Sequence, residues 1–150
     1  MNYFRPPSVG GWTAYYQAPS YTRLWMNSSY IKLRFDVASY LLTDSFTSEI
    51  DNSAIFTLNV LDYVQGLSNP VSAQQIVDDT ALVFCPKGLP DSVKTALKLI
   101  LTGGQPDFEW TLQYNEYLAD NTNVMKKTAI VGRIRQFLDY LFKLPEFQTF

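Results

Sequence analysis

The amino-acid sequence predicts an all-helical fold, an irregular antiparallel bundle of five or six helices with a long ordered N-terminal loop. Apolar residues recur at three- and four-residue spacing in most segments after Asn27, which places them on one side of a helix. Glycine, proline and capping residues separate these segments by short connections, as in helical bundles. With 150 residues, of which 47% are hydrophobic, the chain is expected to form a single domain.

The first half of the chain predicts a loop, a helix and a mixed segment. Residues 1–24 contain several prolines and glycines and are expected to be a loop packed on the helices. The first helix begins after Asn27 or Ser28 and reaches about Thr43. Its apolar stripe consists of Ile31, Phe35, Ala38 and Leu42, with Leu41 beside it. Polar residues 44–53 predict a loop, and residues 55–67 a short extended piece followed by a short helix.

Two further helices are predicted between the Ser68-Asn69-Pro70 turn and the Gly103-Gly104 pair. Ser72 and Gln75 form a capping box for a helix that reaches Phe84. Pro90 suits the first turn of the next helix, and the Gly103-Gly104 pair provides its left-handed end. The apolar side of this helix is Val93, Ala96, Leu97, Ile100 and Leu101.

The C-terminal third predicts two more helices. Pro106 and Asp107 open one that runs to about Ala119, with Trp110, Tyr114 and Tyr117 on one side and Leu118 behind them. The last helix, which is the longest, follows Thr122 or Asn123 and ends at Pro145. Its inner face is Met125, Ile130, Ile134, Phe137, Leu138 and Leu141.

The composition excludes several kinds of active site. The chain has no histidine, so neither a histidine-based catalytic triad nor an imidazole-ligated metal site can be built from it. No glycine-rich phosphate loop is present, and no cofactor or metal site is predicted. The single cysteine, Cys85, cannot form an internal disulfide and is expected to be buried or half-buried.

Charge and hydropathy also exclude classes of partner. The net charge of −2 argues against nucleic-acid binding, which depends on clustered Lys and Arg side chains that neutralise phosphates. The basic residues Lys126, Lys127, Arg133 and Arg135 are instead expected on a solvated helix face. No apolar run approaches the roughly 18–20 residues that cross a bilayer, and residues 1–20 lack the pattern of a signal peptide. We therefore expect a soluble chain with no membrane span.

Carboxylates are the remaining candidates for acid or base chemistry. Asp78 and Asp79 are adjacent on a predicted helix, where neighbouring side chains diverge by about 100° and do not aim at one substrate. Asp107 and Glu109 open a helix, where acidic residues complement the helix dipole. Glu116 lies further along the same helix. A structural role is therefore favoured for these carboxylates.

Aromatic residues are concentrated in the N-terminal loop, where Trp12, Tyr15, Tyr16, Tyr21 and Trp25 lie among small polar residues. Flat aromatic rings with polar neighbours can stack on sugar rings or on a peptide. The alternative, which general burial of large aromatic residues favours, is that they anchor the loop to the helices. The Asn27-Ser28-Ser29 triplet fits a glycosylation acceptor, but a helix cap, which needs no special compartment, is the favoured interpretation.

Two segments resemble a known family. The Arg5-to-Trp12 segment, RPPSVGGW, and the later Trp25-to-Ser29 segment, WMNSS, with Arg34 after it, resemble the "RPPxVxGW … WinsxxllxR" pattern of the bacterial domain-of-unknown-function 1800 family. The terminal LPEFQ resembles the "spPEFQ" element of that family, and Leu89 to Leu101 lies where the family has a helix. The resemblance extends over nearly the whole chain.

The resemblance implies that the chain is the C-terminal part of a longer protein, because the family's His- and Asn-bearing motifs lie before this segment. It implies that the parent is exported in bacteria and that its N-terminal region is the partner of this chain. The residues that this part would contribute to a site are Arg5, Trp12, Trp25, Asn27 and Arg34.

Three functions are therefore open. The first is a non-catalytic domain that supports the N-terminal region of its parent, with an exposed apolar patch around Trp12 and Trp25. The second is a glycan- or peptide-binding module with a groove lined by Tyr15, Tyr16 and Tyr21. The third is part of an enzyme site, in which Arg5 or Arg34 binds an anionic group and a carboxylate acts as base.

Overall fold

The structure, a computed structural model, describes residues 28–43, 46–47, 55–56 and 58–148. The chain divides into two compact units, Met1–Arg34 and Phe35–Phe150. In the first unit the described residues are 28–34, which are helical, with Tyr30 and Leu33 exposed. The second unit contains the other described elements and the hydrophobic core.

Seven helices and one pair of very short strands form the regular structure of the described residues. The helices are α1 (Ser28–Leu42), α2 (Val60–Gln65), α3 (Ala73–Phe84), α4 (Asp91–Thr102), α5 (Asp107–Ala119), α6 (Val124–Phe142) and α7 (Pro145–Gln148). The strands β1 (Phe46–Thr47) and β2 (Ile55–Phe56) pair antiparallel, with Phe46 opposite Phe56 and Thr47 opposite Ile55. The predicted all-helical class is confirmed.

Two elements differ from the prediction. Residues 145–148 form the four-residue helix α7, because a proline fits the first turn of a helix, where its missing N–H is not needed. Pro145 therefore opens an additional helix instead of only ending the last one. Strand β1 lies in the segment predicted as a loop, whereas the extended piece and short helix predicted for residues 55–67 are present as β2 and α2.

Local side chains fix the helix ends. Ser72 caps α3, because its hydroxyl oxygen accepts the backbone N–H of Gln75 at 3.3 Å. The Gln75 side chain donates to Asp79 and not back to Ser72, so only half of the predicted capping box forms. Pro90 is the residue before α4 and not part of its first turn. Gly103 ends α4 in the left-handed conformation with φ of 64°, as predicted.

Helix α6 lies at the centre of the core, and its most extensive contacts are with α4 and then α5. The apolar side of α6 is fully buried through Ile130, Ile134, Phe137, Leu138 and Leu141. Helix α5 contributes its predicted aromatic side, where the Trp110 and Tyr114 rings stack with centroids 5.6 Å apart. This aromatic packing joins α5 to the aliphatic core.

One predicted core position is wrong. Met125 is 83% exposed. It lies nine positions before Ile134, a rotation of about 900° or two and a half turns, so it is on the opposite side of α6 from the buried residues. Leu118 is exposed because it lies next to the buried Tyr117, about 100° around α5 and away from the core. Leu41, predicted beside the apolar stripe of α1, is also exposed.

Candidate functional site

One concavity lies within the second unit, between the end of α1 and the C-terminal half of α6. It has a volume of about 440 Å³. Its lining residues are Ser39, Leu42, Thr43, Arg135, Gln136 and Asp139. This size is within the range of small-molecule sites, so the chemistry of its polar groups decides whether it is one.

Asp139 is the acidic group of this concavity, and both of its oxygens accept hydrogen bonds. Ser39 Oγ donates to Oδ1 at 2.7 Å, and Lys143 Nζ donates to Oδ2 at 2.7 Å. Lys143 follows the last residue of α6 and lies one turn after Asp139, so that pair is local. The bond from Ser39, in contrast, joins α1 to α6 across 100 positions of the chain.

This arrangement supports a structural role for Asp139. A serine becomes a nucleophile when a base accepts its proton, and a carboxylate that already accepts a lysine N–H is a weak base. The hydroxyl of Thr43 donates to the backbone oxygen of Tyr40 at 2.9 Å, so it is also engaged locally. The Ser39–Asp139 hydrogen bond therefore holds α1 and α6 together.

Asp78 and Asp79 point to different neighbours, as predicted. Asp78 accepts from Lys94 at 2.8 Å and from Gln74 at 3.0 Å, which lowers the pKa of its carboxyl. Asp79 accepts from the side chain of Ser68 at 2.6 Å and from Gln75 at 2.7 Å, and these bonds lower its pKa. Asp78 thus ties α3 to α4, and Asp79 ties the preceding turn to α3.

Three other charged side chains are also used within the fold. Asp107, at the start of α5, pairs with Lys98 of α4 at 3.0 Å. Arg133 donates to the backbone oxygen of Thr102 at 3.1 Å, which places its guanidinium beside the end of α4. Lys126 donates to the backbone oxygen of Glu116 at 3.4 Å. Lys126 and Arg133 of α6 thus contact two different elements, α5 and the end of α4.

Two reactive side chains are enclosed by the core. Cys85 is 1% exposed, and its burial, with a smaller contribution from the Glu146 carboxylate, raises the pKa of its thiol. Tyr114 is fully buried, and its hydroxyl has no hydrogen-bond partner among the described residues. Burial, with a smaller contribution from Tyr117, raises the pKa of Tyr114. Neither group is placed to react with a substrate in solution.

A second, smaller concavity of about 260 Å³ lies between α5 and α6, and we call it the α5–α6 groove. Its lining residues are Gln113, Glu116, Met125, Lys126, Ala129 and Ile130. Apolar side chains come mainly from α6, and polar side chains mainly from α5. The groove is therefore better suited to an apolar side chain with a charged neighbour than to a small polar metabolite.

Most of the residues predicted to form a site lie outside the described residues: Arg5, Trp12, Tyr15, Tyr16, Trp25 and Asn27. Arg34 lies on α1 and is exposed. No local sequence pattern identifies Ser39 or Asp139, because the two positions lie 100 residues apart. The Asp139–Lys143 pair has i,i+4 spacing, a local signal that could have identified it. Among the described residues, no group of three acidic or cysteine side chains could hold a metal ion. None of the described helices has the length and apolar character to span a bilayer.

No family model, curated protein or solved structure matches the chain. The resemblance to the domain-of-unknown-function 1800 family stays a prediction.

Proposed function

We propose that this chain is a non-catalytic helical domain that docks onto, and supports, the N-terminal region of a longer parent protein. The observation that carries the proposal is the apolar character of α1 on both sides. Within the second unit, Ala38 and Leu42 are buried in the core. Val37, Tyr40 and Leu41 are exposed on the other side of the same helix.

The spacing of the exposed residues makes them one surface, which we call the outer side of α1. Val37, Tyr40 and Leu41 lie three and four positions apart, and residues so spaced are neighbours on a helix. A helix that is apolar on two opposite sides is normally covered on both. A contiguous exposed apolar patch is typical of a docking site.

The polar groups support the same proposal. The carboxylates of Asp78, Asp79 and Asp139 each accept two or more hydrogen bonds from neighbouring side chains. Groups used in this way fix the relative positions of helices, as expected of a supporting domain. The resemblance to a family of longer proteins names the region that would cover the outer side of α1.

Thiol labelling in the isolated chain and in the longer parent tests the proposal. A Val37→Cys variant places a thiol on the outer side of α1, where the side chain is 47% exposed. Because Cys85 is buried, it reacts slowly and does not obscure the new thiol. We expect the thiol at position 37 to react at least about tenfold more slowly in the parent, a protection of about 1.4 kcal/mol.

Leu82→Cys is the matched control, because Leu82 is also on a helix and is 75% exposed, but lies on α3. We expect its reaction rate to be the same in the isolated chain and in the parent. Equal rates at position 37 in the two proteins would contradict the proposal. A natural gene product no longer than this chain would also contradict it.

A further inference from the structure

The α5–α6 groove combines an indentation with a projecting side chain. Met125 lines the groove and is nevertheless 83% exposed, so its thioether extends into solvent beside the cavity. Val124, the preceding residue, is exposed as well. Methionine is flexible and fills irregular apolar cavities, which suits it to insertion into a groove of this kind.

A surface that carries both a projection and a matching indentation can pair with its own copy. In a twofold interface the same patch is used on both subunits, so a residue that inserts into the partner also lines the cavity that receives the partner. Met125 satisfies both conditions, with Ala129 and Ile130 providing apolar walls. We infer that the α5–α6 groove binds the same groove of a second copy of this chain.

Charge complementarity supports a second copy as the occupant. Glu116 is on the α5 wall and Lys126 on the α6 wall. The Glu116 side chain is exposed, and the bond from Lys126 goes to its backbone oxygen, not to its carboxylate. When the twofold axis runs along the two facing grooves, α5 of one copy faces α6 of the other. Each Glu116 carboxylate then approaches the Lys126 ammonium of the second copy.

Two copies of this chain also repel each other weakly. The net charge is only −2, and 17% of the residues are charged. Because the net charge is small, electrostatic repulsion opposes association only weakly. This surface is separate from the outer side of α1, so the inference does not rest on the proposed function.

Sedimentation velocity of the whole chain over a range of concentrations tests the inference. We expect a reversible monomer–dimer equilibrium and a dissociation constant at least about tenfold higher for Met125→Glu. Leu82→Glu is the matched control, since it replaces another exposed apolar helix residue and should leave the equilibrium unchanged. Circular dichroism of both variants checks that the fold is retained.

A charge exchange distinguishes pairing between copies from an effect within one chain. Glu116→Lys should weaken the dimer by placing two ammonium groups together, and adding Lys126→Glu should restore it. A chain that stays monomeric at every concentration would overturn the inference and leave the groove to another protein. A dimer that is unaffected by Met125→Glu would overturn it as well.

Discussion

The indole N–H of Trp110 donates to the backbone oxygen of Pro70 at 3.2 Å, which joins α5 to the turn before α3. The neighbouring Thr111 hydroxyl donates to the backbone oxygen of Val71 at 3.0 Å. Trp110 is fully buried and stacks on Tyr114. One side chain therefore fills the core between these elements and satisfies a backbone carbonyl that no regular structure pairs.

Trp110→Phe should keep most of the apolar packing and lose the hydrogen bond. We expect the free energy of unfolding to fall by about 2 kcal/mol, roughly half from the unpaired carbonyl of Pro70 and half from the smaller ring. Urea denaturation followed by circular dichroism measures the change. Phe108→Ala on the same helix is the control, because Phe108 is 63% exposed and its loss should cost less than about 0.5 kcal/mol.

Removing the phenolic hydroxyl should stabilise the fold at one tyrosine and destabilise it at another. Tyr114→Phe deletes a buried hydroxyl that lacks a partner among the described residues, and should stabilise the fold by up to about 1 kcal/mol. Tyr63→Phe deletes the donor to the buried Thr80 hydroxyl and should destabilise it by about 1 kcal/mol. The midpoint temperature of thermal unfolding measures both effects. Shifts of the same sign in the two variants would contradict this account.

Two glycines should respond differently to alanine. Gly132 lies inside α6, and a Cβ added there meets no other atom within 4 Å. Gly132→Ala should therefore stabilise the helix by about 0.5–1 kcal/mol. Gly103 has a φ of 64°, where an alanine is strained, so Gly103→Ala should destabilise the protein by about 1 kcal/mol. The midpoint of urea unfolding is measured for both variants and for the natural chain.

The Asp79 carboxylate should make stability depend on acid pH. Its bonds from Ser68 and Gln75 lower its pKa in the folded chain below the unfolded value of about 4. The stabilisation is thus complete above pH 4 or so and is lost as pH falls through the lower folded pKa. Asp79→Asn should lower the free energy of unfolding by about 1 kcal/mol or less at neutral pH, since the site is partly exposed. The decrease should be smaller at low pH. An equal loss at every pH, measured by urea unfolding, would contradict this explanation.

The sequence was a good guide where the determining interactions are local. The bounds of α3, α4, α5 and α6 follow from apolar spacing and from caps such as Ser72, Asn123 and Gly103. Such signals lie within a few residues of the feature they determine.

It was a poor guide where a remote neighbour decides. Met125 was placed on the inner face because it is apolar, although its angular position on α6 turns it away from the core. The bond between Ser39 and Asp139 depends on how α1 and α6 pack, which no pattern within either helix specifies. Tertiary packing therefore determines the concavity that the sequence did not reveal.

Amide hydrogen exchange of α1, measured by mass spectrometry in the isolated chain and in the longer parent, tests the docking proposal most directly. The account predicts that amides of the turn containing Val37, Tyr40 and Leu41 exchange more slowly in the parent, whereas those of the buried side of α6 do not change. Identical exchange of α1 in the two proteins would contradict it.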